Sequence, residues 1–345
     1  MSAKAVIHKA MTTPLKDIAK QLVAQGKGIL AADESMGTCG KRFQKYGIPE
    51  TAEIRRKWRE LLFATLGIEE GLSGVILFDE TIRQKTADGV LFAEFLASRG
   101  IIPGIKVDEK TEPILSSPEE AVTKGLDGLS KRFSEYAKMG AKFTKWRAVI
   151  KIGAGLPTTE CIAENAKRMA EYAFESQKAG LVPIPEPEVL LDGTHSMARC
   201  EEVVERTLKA TFEEIAKKDI ALNCLILKTS MVLPGKDSGE TASAKDVATA
   251  TVRTLLSVVS REVAGVVFLS GGQSEEEATE RLFEIVREGK RKKVPWPLSF
   301  SYSRALQDST MKAWAGKEEN VVKAQEVFAK RVFDTAKASR GQYTR

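Results

Sequence analysis

The run Leu225-Ile226-Leu227-Lys228, followed by Thr229 and Ser230, carries an uninterrupted apolar stretch onto a charge. Short apolar runs with branched residues are what a strand buried on both faces requires, so this one is placed inside a parallel sheet. Two readings of Lys228 follow. In one, the lysine marks the point where the strand exits to solvent, the usual situation of a residue that is rarely fully buried. In the other, burial penalises the ammonium form, and the neutral amine thereby favoured is a nucleophile toward carbonyls.

Outward from this run, apolar strand-like segments alternate with amphipathic helical ones, the pattern of repeated βα units around a parallel sheet. Eight strands are expected, over residues 28–33, 74–80, 103–108, 143–150, 181–188, 222–228, 265–270 and 298–304. In the helix expected over 201–217, Val204, Leu208, Phe212 and Ile215 fall on one stripe, which is core. Ser274 and Glu277 form a capping-box pattern opening the helix after the seventh strand. A last helix over 318–337, with Val322, Val327, Phe328 and Phe333, is expected to cover the barrel from outside. No Pro/Gly/Ser-rich linker divides the chain. The expectation is therefore one (β/α)8 TIM-barrel domain spanning residues 1–345, with extra N- and C-terminal helices. Residues 1–20 form a partly ordered lead-in and residues 338–345 a short tail.

Composition narrows the function. Cys39, Cys161, Cys200 and Cys224 are scattered without a Cys-x-x-Cys pair, which favours a reducing, cytoplasmic setting. Near the N-terminus Lys4, His8 and Lys9 occur without an apolar core of signal length, and no run reaches the ~18 apolar residues of a membrane span. The net charge of +6 is modest, and its one dense basic run, Lys290-Arg291-Lys292-Lys293, reads as a solvated loop, so nucleic acid is a weak hypothesis. His8 and His195 have no second histidine or cysteine at ligand spacing, leaving no imidazole-rich site for catalytic zinc. Gly-x-Ser-x-Gly, Walker A and dinucleotide fingerprints are absent.

A barrel of this kind collects its chemistry where strands end and βα loops begin. The first strand ends on Asp33-Glu34-Ser35 and the third on Lys106-Val107-Asp108; the fourth carries Lys145-Trp146-Arg147, the fifth Glu186-Pro187-Glu188, and the sixth Lys228. Side chains alternate across a strand, so Lys145 and Arg147 share a face, as do Glu186 and Glu188. Each alone could be an ion pair that closes the barrel, but five strands in register suggest a common site at the mouth. After the seventh and eighth strands come Ser270-Gly271-Gly272 and Ser301-Tyr302-Ser303-Arg304, whose backbone donors, hydroxyls and guanidinium suit a phosphate. Ser35 to Arg42, with Gly37, Gly40, Lys41 and Arg42, is a second phosphate candidate across the mouth. An amine at the centre, carboxylates beside it and cationic grips on either side describe Schiff-base chemistry on a phosphorylated carbonyl compound, with no metal or cofactor required.

The stretches Gly28-Ile29-Leu30-Ala31-Ala32-Asp33-Glu34-Ser35, Gly104-Ile105-Lys106-Val107-Asp108, Lys145-Trp146-Arg147, Glu186-Pro187-Glu188, Leu269-Ser270-Gly271-Gly272-Gln273-Ser274 and Phe300-Ser301-Tyr302 resemble class I fructose-bisphosphate aldolase from about Leu15 to about Gln342. The resemblance implies a glycolytic and gluconeogenic lyase that reversibly cleaves fructose 1,6-bisphosphate to dihydroxyacetone phosphate and glyceraldehyde 3-phosphate. It implies Lys228 as the imine-forming amine and Glu186 as acid/base for the carbinolamine. Lys145 would stabilise charge and Asp33 accept the C4-hydroxyl proton. Lys106, Arg147 and Glu188 would order the sugar, Ser270, Gly271, Gly272, Ser301 and Arg304 would hold one phosphate, and Ser35, Thr38, Lys41 and Arg42 the other. It further implies a homotetramer and a capacity for cytoskeletal partners.

The chain departs from the common family pattern at Thr229-Ser230, where many members have Pro-Asn, at Pro185, where valine is usual, and at Ser303, where many have glycine. Tyr343 is given no catalytic role. Two alternatives stand beside this reading: a related Schiff-base lyase preferring fructose 1-phosphate, and a barrel that serves chiefly as a binding scaffold, its basic mouth taking an acidic peptide.

Overall fold

A computed structural model of the chain describes residues 14–343. In chain order it opens with α1 (residues 14–22), β1 (Gly28–Ala32), α2 (Met36–Gln44), α3 (Ala52–Ala64), β2 (Leu72–Leu77), α4 (Asp79–Arg83), α5 (Phe92–Ser98) and β3 (Ile102–Lys106). An excursion follows, β4 (Thr111–Ile114) and β5 (Ser117–Thr123), then α6 (Leu129–Lys138), β6 (Phe143–Ile150), α7 (Thr159–Lys178), β7 (Val182–Val189) and α8 (Met197–Ala216). The remainder is β8 (Ile226–Thr229), α9 (Ala244–Val258), β9 (Gly265–Phe268), α10 (Glu275–Lys292), β10 (Leu298–Tyr302), α11 (Arg304–Trp314) and α12 (Val321–Arg340).

Eight strands pair in parallel in the order β7-β6-β3-β2-β1-β10-β9-β8; with the antiparallel β4–β5 hairpin set aside, chain neighbours are sheet neighbours except β7 and β8, the two ends of the ladder. This is the TIM barrel expected from the alternation of strands and helices. Helix entries are fixed locally: Thr158, Ser196 and Ser243 cap α7, α8 and α9, and Ser274 with Glu277 forms the expected capping box on α10.

The barrel interior has two levels. At the N-terminal end Ile29, Ala31, Ile76, Phe143, Val182, Ile184, Ile226 and Val267 form an apolar floor, and Leu15, Ala19 and Leu22 of α1 plug it from below. Close packing there needs small residues: a Cβ on Gly104 would stand 2.4 Å from the Phe143 ring, and one on Gly74 would stand 2.7 Å from Leu22. The larger core lies between the outer face of the sheet and the helices. An apolar floor forces the ionisable residues of the same strands toward the opposite, C-terminal end.

Several expected boundaries shift. Asp79 and Glu80 belong to α4, Arg304 opens α11, and Leu222–Cys224 is a turn of 3₁₀ helix before β8. The hairpin β4–β5 was not expected; its sequence, with Pro113 and Pro118 and the three charged residues Glu112, Glu119 and Glu120, lacks apolar alternation. Residues 36–42, expected as loop, lie in α2, because Ser35 caps it. On α12 the expected stripe is corrected: Val322 and Phe333 are exposed, and the buried face is Ala324, Phe328, Arg331, Val332, Thr335 and Ala336. Of the lead-in, residues 14–20 are helical, while 1–13 lie outside the described residues, as do 344–345 of the tail.

Candidate active site

Above the apolar floor, β3, β6, β7, β8 and the end of β1 deliver charged side chains to one place. Glu186 on β7 stands between two lysines, with Oε1 3.0 Å from Lys228 Nζ and Oε2 3.2 Å from Lys145 Nζ. Lys145 on β6 also meets Asp33 Oδ2 at 2.7 Å and Asp108 Oδ1 at 3.7 Å. Asp108 in turn pairs with Lys106 at 2.6 Å and accepts the Arg147 N–H at 3.0 Å. Arg147 pairs with Glu188. Lys228, Lys145 and Glu186 are only 3–4 % exposed, which removes the reading of Lys228 as a strand end in solvent.

Such charges are tolerated because they neutralise one another. Burial alone would raise the Asp33 carboxyl, but the ammonium groups of Lys145, Lys228 and Lys106 overcome it and bring it down to about 2. Burial likewise opposes the Glu186 carboxylate, and Lys228, Lys145 and Arg147 outweigh it, so its pKa is lowered. For Lys145 burial disfavours the ammonium, and the carboxylates of Asp33, Glu186 and Asp108 more than compensate, raising its pKa. Asp33 is thus a fixed anion and Lys145 a fixed cation at neutral pH.

Two flanking corners differ in character. After β9, Ser270 is buried, and Gly271 (φ +51°) and Gly272 (φ +91°) adopt left-handed backbone suited to glycine. A Cβ on Gly272 would meet the Arg304 Nη2 at 3.7 Å, which puts this exposed guanidinium beside the turn. Ser301 on β10 is 1 % exposed and its hydroxyl has no partner in the protein. A buried hydroxyl without a protein partner, a glycine turn and an arginine are groups suited to an anion.

On the other side Ser35 caps α2, its Oγ accepting the Thr38 N–H at 3.4 Å, and Thr38 and Lys41 are exposed. Arg42 is separated from them. It is buried, with Nη1 on Glu34 and on Gln307 (3.1 Å) and Nη2 on Asp308 Oδ1 (2.8 Å), so both Nη groups are engaged within the protein while Nε has no partner. Glu34 also binds Arg59 at 2.7 Å and accepts the Ser303 hydroxyl at 2.5 Å. The serine at 303 therefore turns its hydroxyl to Glu34.

Asp108 and the Glu34–Arg59 pair were not among the site residues read from sequence. Asp108 carried a signal, being two positions past Lys106 on the same face; Arg59, in the middle of α3, carried none. Tyr343 packs edge-on against Phe283 of α10 with ring centroids 6.2 Å apart. Among the described residues there is no cluster of His, Cys, Asp and Glu able to hold a metal and no helix long and apolar enough to cross a membrane.

The geometry has counterparts in known proteins. The family model "Fructose-bisphosphate aldolase class-I" matches residues 14–345. A probable fructose-bisphosphate aldolase class 1 of Xanthomonas campestris is 48% identical over 95% of this chain and 98% of its own. The cytoplasmic isozyme of fructose-bisphosphate aldolase from Spinacia oleracea is 50% identical over 94% of this chain and 90% of its own. The fructose-bisphosphate aldolase of Plasmodium falciparum, solved with TRAP and a small-molecule inhibitor, superposes with a TM-score of 0.95 at 44% identity, covering 97% of this chain and 96% of that one. With matches of this extent added to a lysine-carboxylate centre in the mouth of an eight-stranded barrel, the chain belongs to the class I fructose-bisphosphate aldolase family and is a carbon-carbon lyase.

Proposed function

We propose that Lys228 is the amine that forms a Schiff base with the ketone of fructose 1,6-bisphosphate. The observation that supports this most directly is its burial against Glu186, 3.0 Å away. Glu186 is placed to take a proton from Nζ, releasing the lone pair that attacks the C2 carbonyl, and to return it to the carbinolamine oxygen as water leaves. The resulting cationic imine withdraws electrons from the C3–C4 bond. Asp33, held as a carboxylate, accepts the C4-hydroxyl proton while that bond breaks, releasing glyceraldehyde 3-phosphate and leaving an enamine. Lys145, between Asp33 and Glu186, balances the charge of both.

Lys106, Arg147 and Glu188 order the sugar hydroxyls. Ser270, Gly271, Gly272, Ser301 and Arg304 take one phosphate, and Ser35, Thr38 and Lys41 the other. Arg42 acts on that second corner through the fold, since both of its Nη groups are already engaged. The thinner second corner favours a secondary reading, appreciable turnover of fructose 1-phosphate, checked by comparing kcat/KM for the two sugar phosphates. The whole chain works as one catalytic unit, with no cofactor, as a cytoplasmic homotetramer. Contacts with cytoskeletal or other acidic partners at the mouth should be competitive with substrate.

Borohydride added with dihydroxyacetone phosphate, followed by peptide mapping, tests the assignment. Irreversible loss of activity with label on Lys228 is expected; label on another lysine would refute it.

A further inference from the structure

The ladder of main-chain hydrogen bonds around the barrel ends at β7 and β8, the strands that carry Glu186 and Lys228. The sequence of β7 withholds main-chain donors from that edge. The Val182 N–H donates to Lys142 O at 3.1 Å and the Leu190 N–H to Ile150 O at 2.9 Å, so even-numbered positions of this strand face β6 and odd-numbered ones face β8. Positions 183, 185 and 187 are all proline and have no N–H to give. The first donor on that edge within β7 is Val189, and a single side chain takes both of its main-chain groups. Val189 N–H donates to Ser230 Oγ at 3.0 Å, and Ser230 Oγ donates to Val189 O at 3.0 Å.

Ser230 is buried and lies two residues beyond Lys228 on the same strand path, while Val189 lies three beyond Glu186. We infer that Ser230 is a positioning residue: by joining Val189 across the proline edge, its hydroxyl sets the separation of β7 and β8 and hence of Lys228 Nζ from Glu186. The inference rests on the reading of Lys228 and Glu186 as reacting amine and acid/base. It also gives a common account of two departures from the usual family pattern, because Pro185 removes a main-chain donor from the seam and Ser230 supplies a side-chain link there.

The experiment compares Ser230→Ala and Ser230→Thr with the parent enzyme by thermal melting, by kcat and KM for fructose 1,6-bisphosphate, and by the rate of borohydride trapping at Lys228. Small displacements of a reacting group cost up to about 100-fold, so S230A is expected to lower both kcat and the trapping rate by about 10- to 100-fold with KM within about twofold. S230T, which keeps the hydroxyl, is expected to stay within about threefold of the parent on the same scale. A purely structural role would reduce the fraction of folded, trappable molecules without slowing the labelling of the rest. S230A labelled at the parent rate overturns the inference. If S230A does not fold, S230T decides: near-parent trapping supports the role, and a loss beyond about tenfold at an unchanged Tm overturns it. Parent enzyme labelled at a lysine other than Lys228 overturns the reading beneath it instead.

Discussion

Lys145 Nζ lies 2.7 Å from Asp33 Oδ2, an ion pair that reaches across the barrel mouth from β6 to the end of β1. Those strands are not neighbours, since β3 and β2 stand between them in the sheet. The pair therefore spans the space a substrate must enter, and both groups keep their charge there. In the proposed mechanism Asp33 accepts a proton only transiently, and Lys145 stays cationic while it does so.

The first prediction concerns acid stability. With its carboxyl brought from an ordinary 3.8 to about 2, Asp33 stabilises the folded state above the unfolded value, and that stabilisation is lost as pH falls through about 2. The difference corresponds to about 2 kcal/mol. Tm measured from pH 6 to pH 2 should fall less steeply for Asp33→Asn than for the parent, and parallel acid limbs would contradict the assignment. At pH 7 the variant should still form the trappable imine with dihydroxyacetone phosphate, because the role proposed for Asp33 is on the C4 hydroxyl that this substrate lacks.

Glu186→Gln removes the proposed proton carrier and leaves Lys228 and Lys145 without their shared anion. General acid–base groups contribute about 10²- to 10⁴-fold, so kcat should drop into that range. Rapid-mixing measurements should find imine formation itself slowed; a variant that forms the imine normally and fails only in bond cleavage would shift the role away from Glu186.

Ser301→Ala separates binding from stability. Its hydroxyl is buried without a partner, and such a group costs about 1–3 kcal/mol in the folded protein, so the alanine variant should melt no lower than the parent. KM should nevertheless rise by roughly tenfold, the worth of a hydrogen bond to a charged ligand. Arg304→Ala should raise KM as well, with little change in Tm, since its guanidinium is exposed.

Arg42→Ala should behave in the opposite way. Breaking a buried pair typically costs about 3–5 kcal/mol, and with Arg59 still beside Glu34 the loss is expected near the lower figure. Denaturant titration reads it directly. A large rise in KM at unchanged stability would return Arg42 to the list of direct phosphate ligands.

The alternation of ionisable residues along β6 and β7, and the lysine ending the run at Lys228, were legible because strand period and barrel direction alone determine which side chains share a face and which end holds them. Thr229 and Ser230 were visible as departures, but their meaning was not. Apolar identity does not reveal that Val322 and Phe333 are exposed on α12, because the packed face is set by what lies opposite and includes Arg331 and Thr335. Arg42 shows a related limit: its place near a candidate phosphate loop is legible in the sequence, whereas Glu34 and Asp308 against its guanidinium are not.

By itself the sequence determined the repeating βα order, the apolar lower halves of the strands and the identity of the charged groups at their upper ends, because each of these follows from local periodicity and the cost of burying charge. Only the tertiary structure decided which charges meet. The Lys145–Asp33 pair, the two-lysine setting of Glu186 and the link from Ser230 to Val189 each join residues from separate strands, at distances of 2.7 to 3.2 Å. Contacts that short depend on sheet order, register and closure of the barrel, which no local pattern encodes.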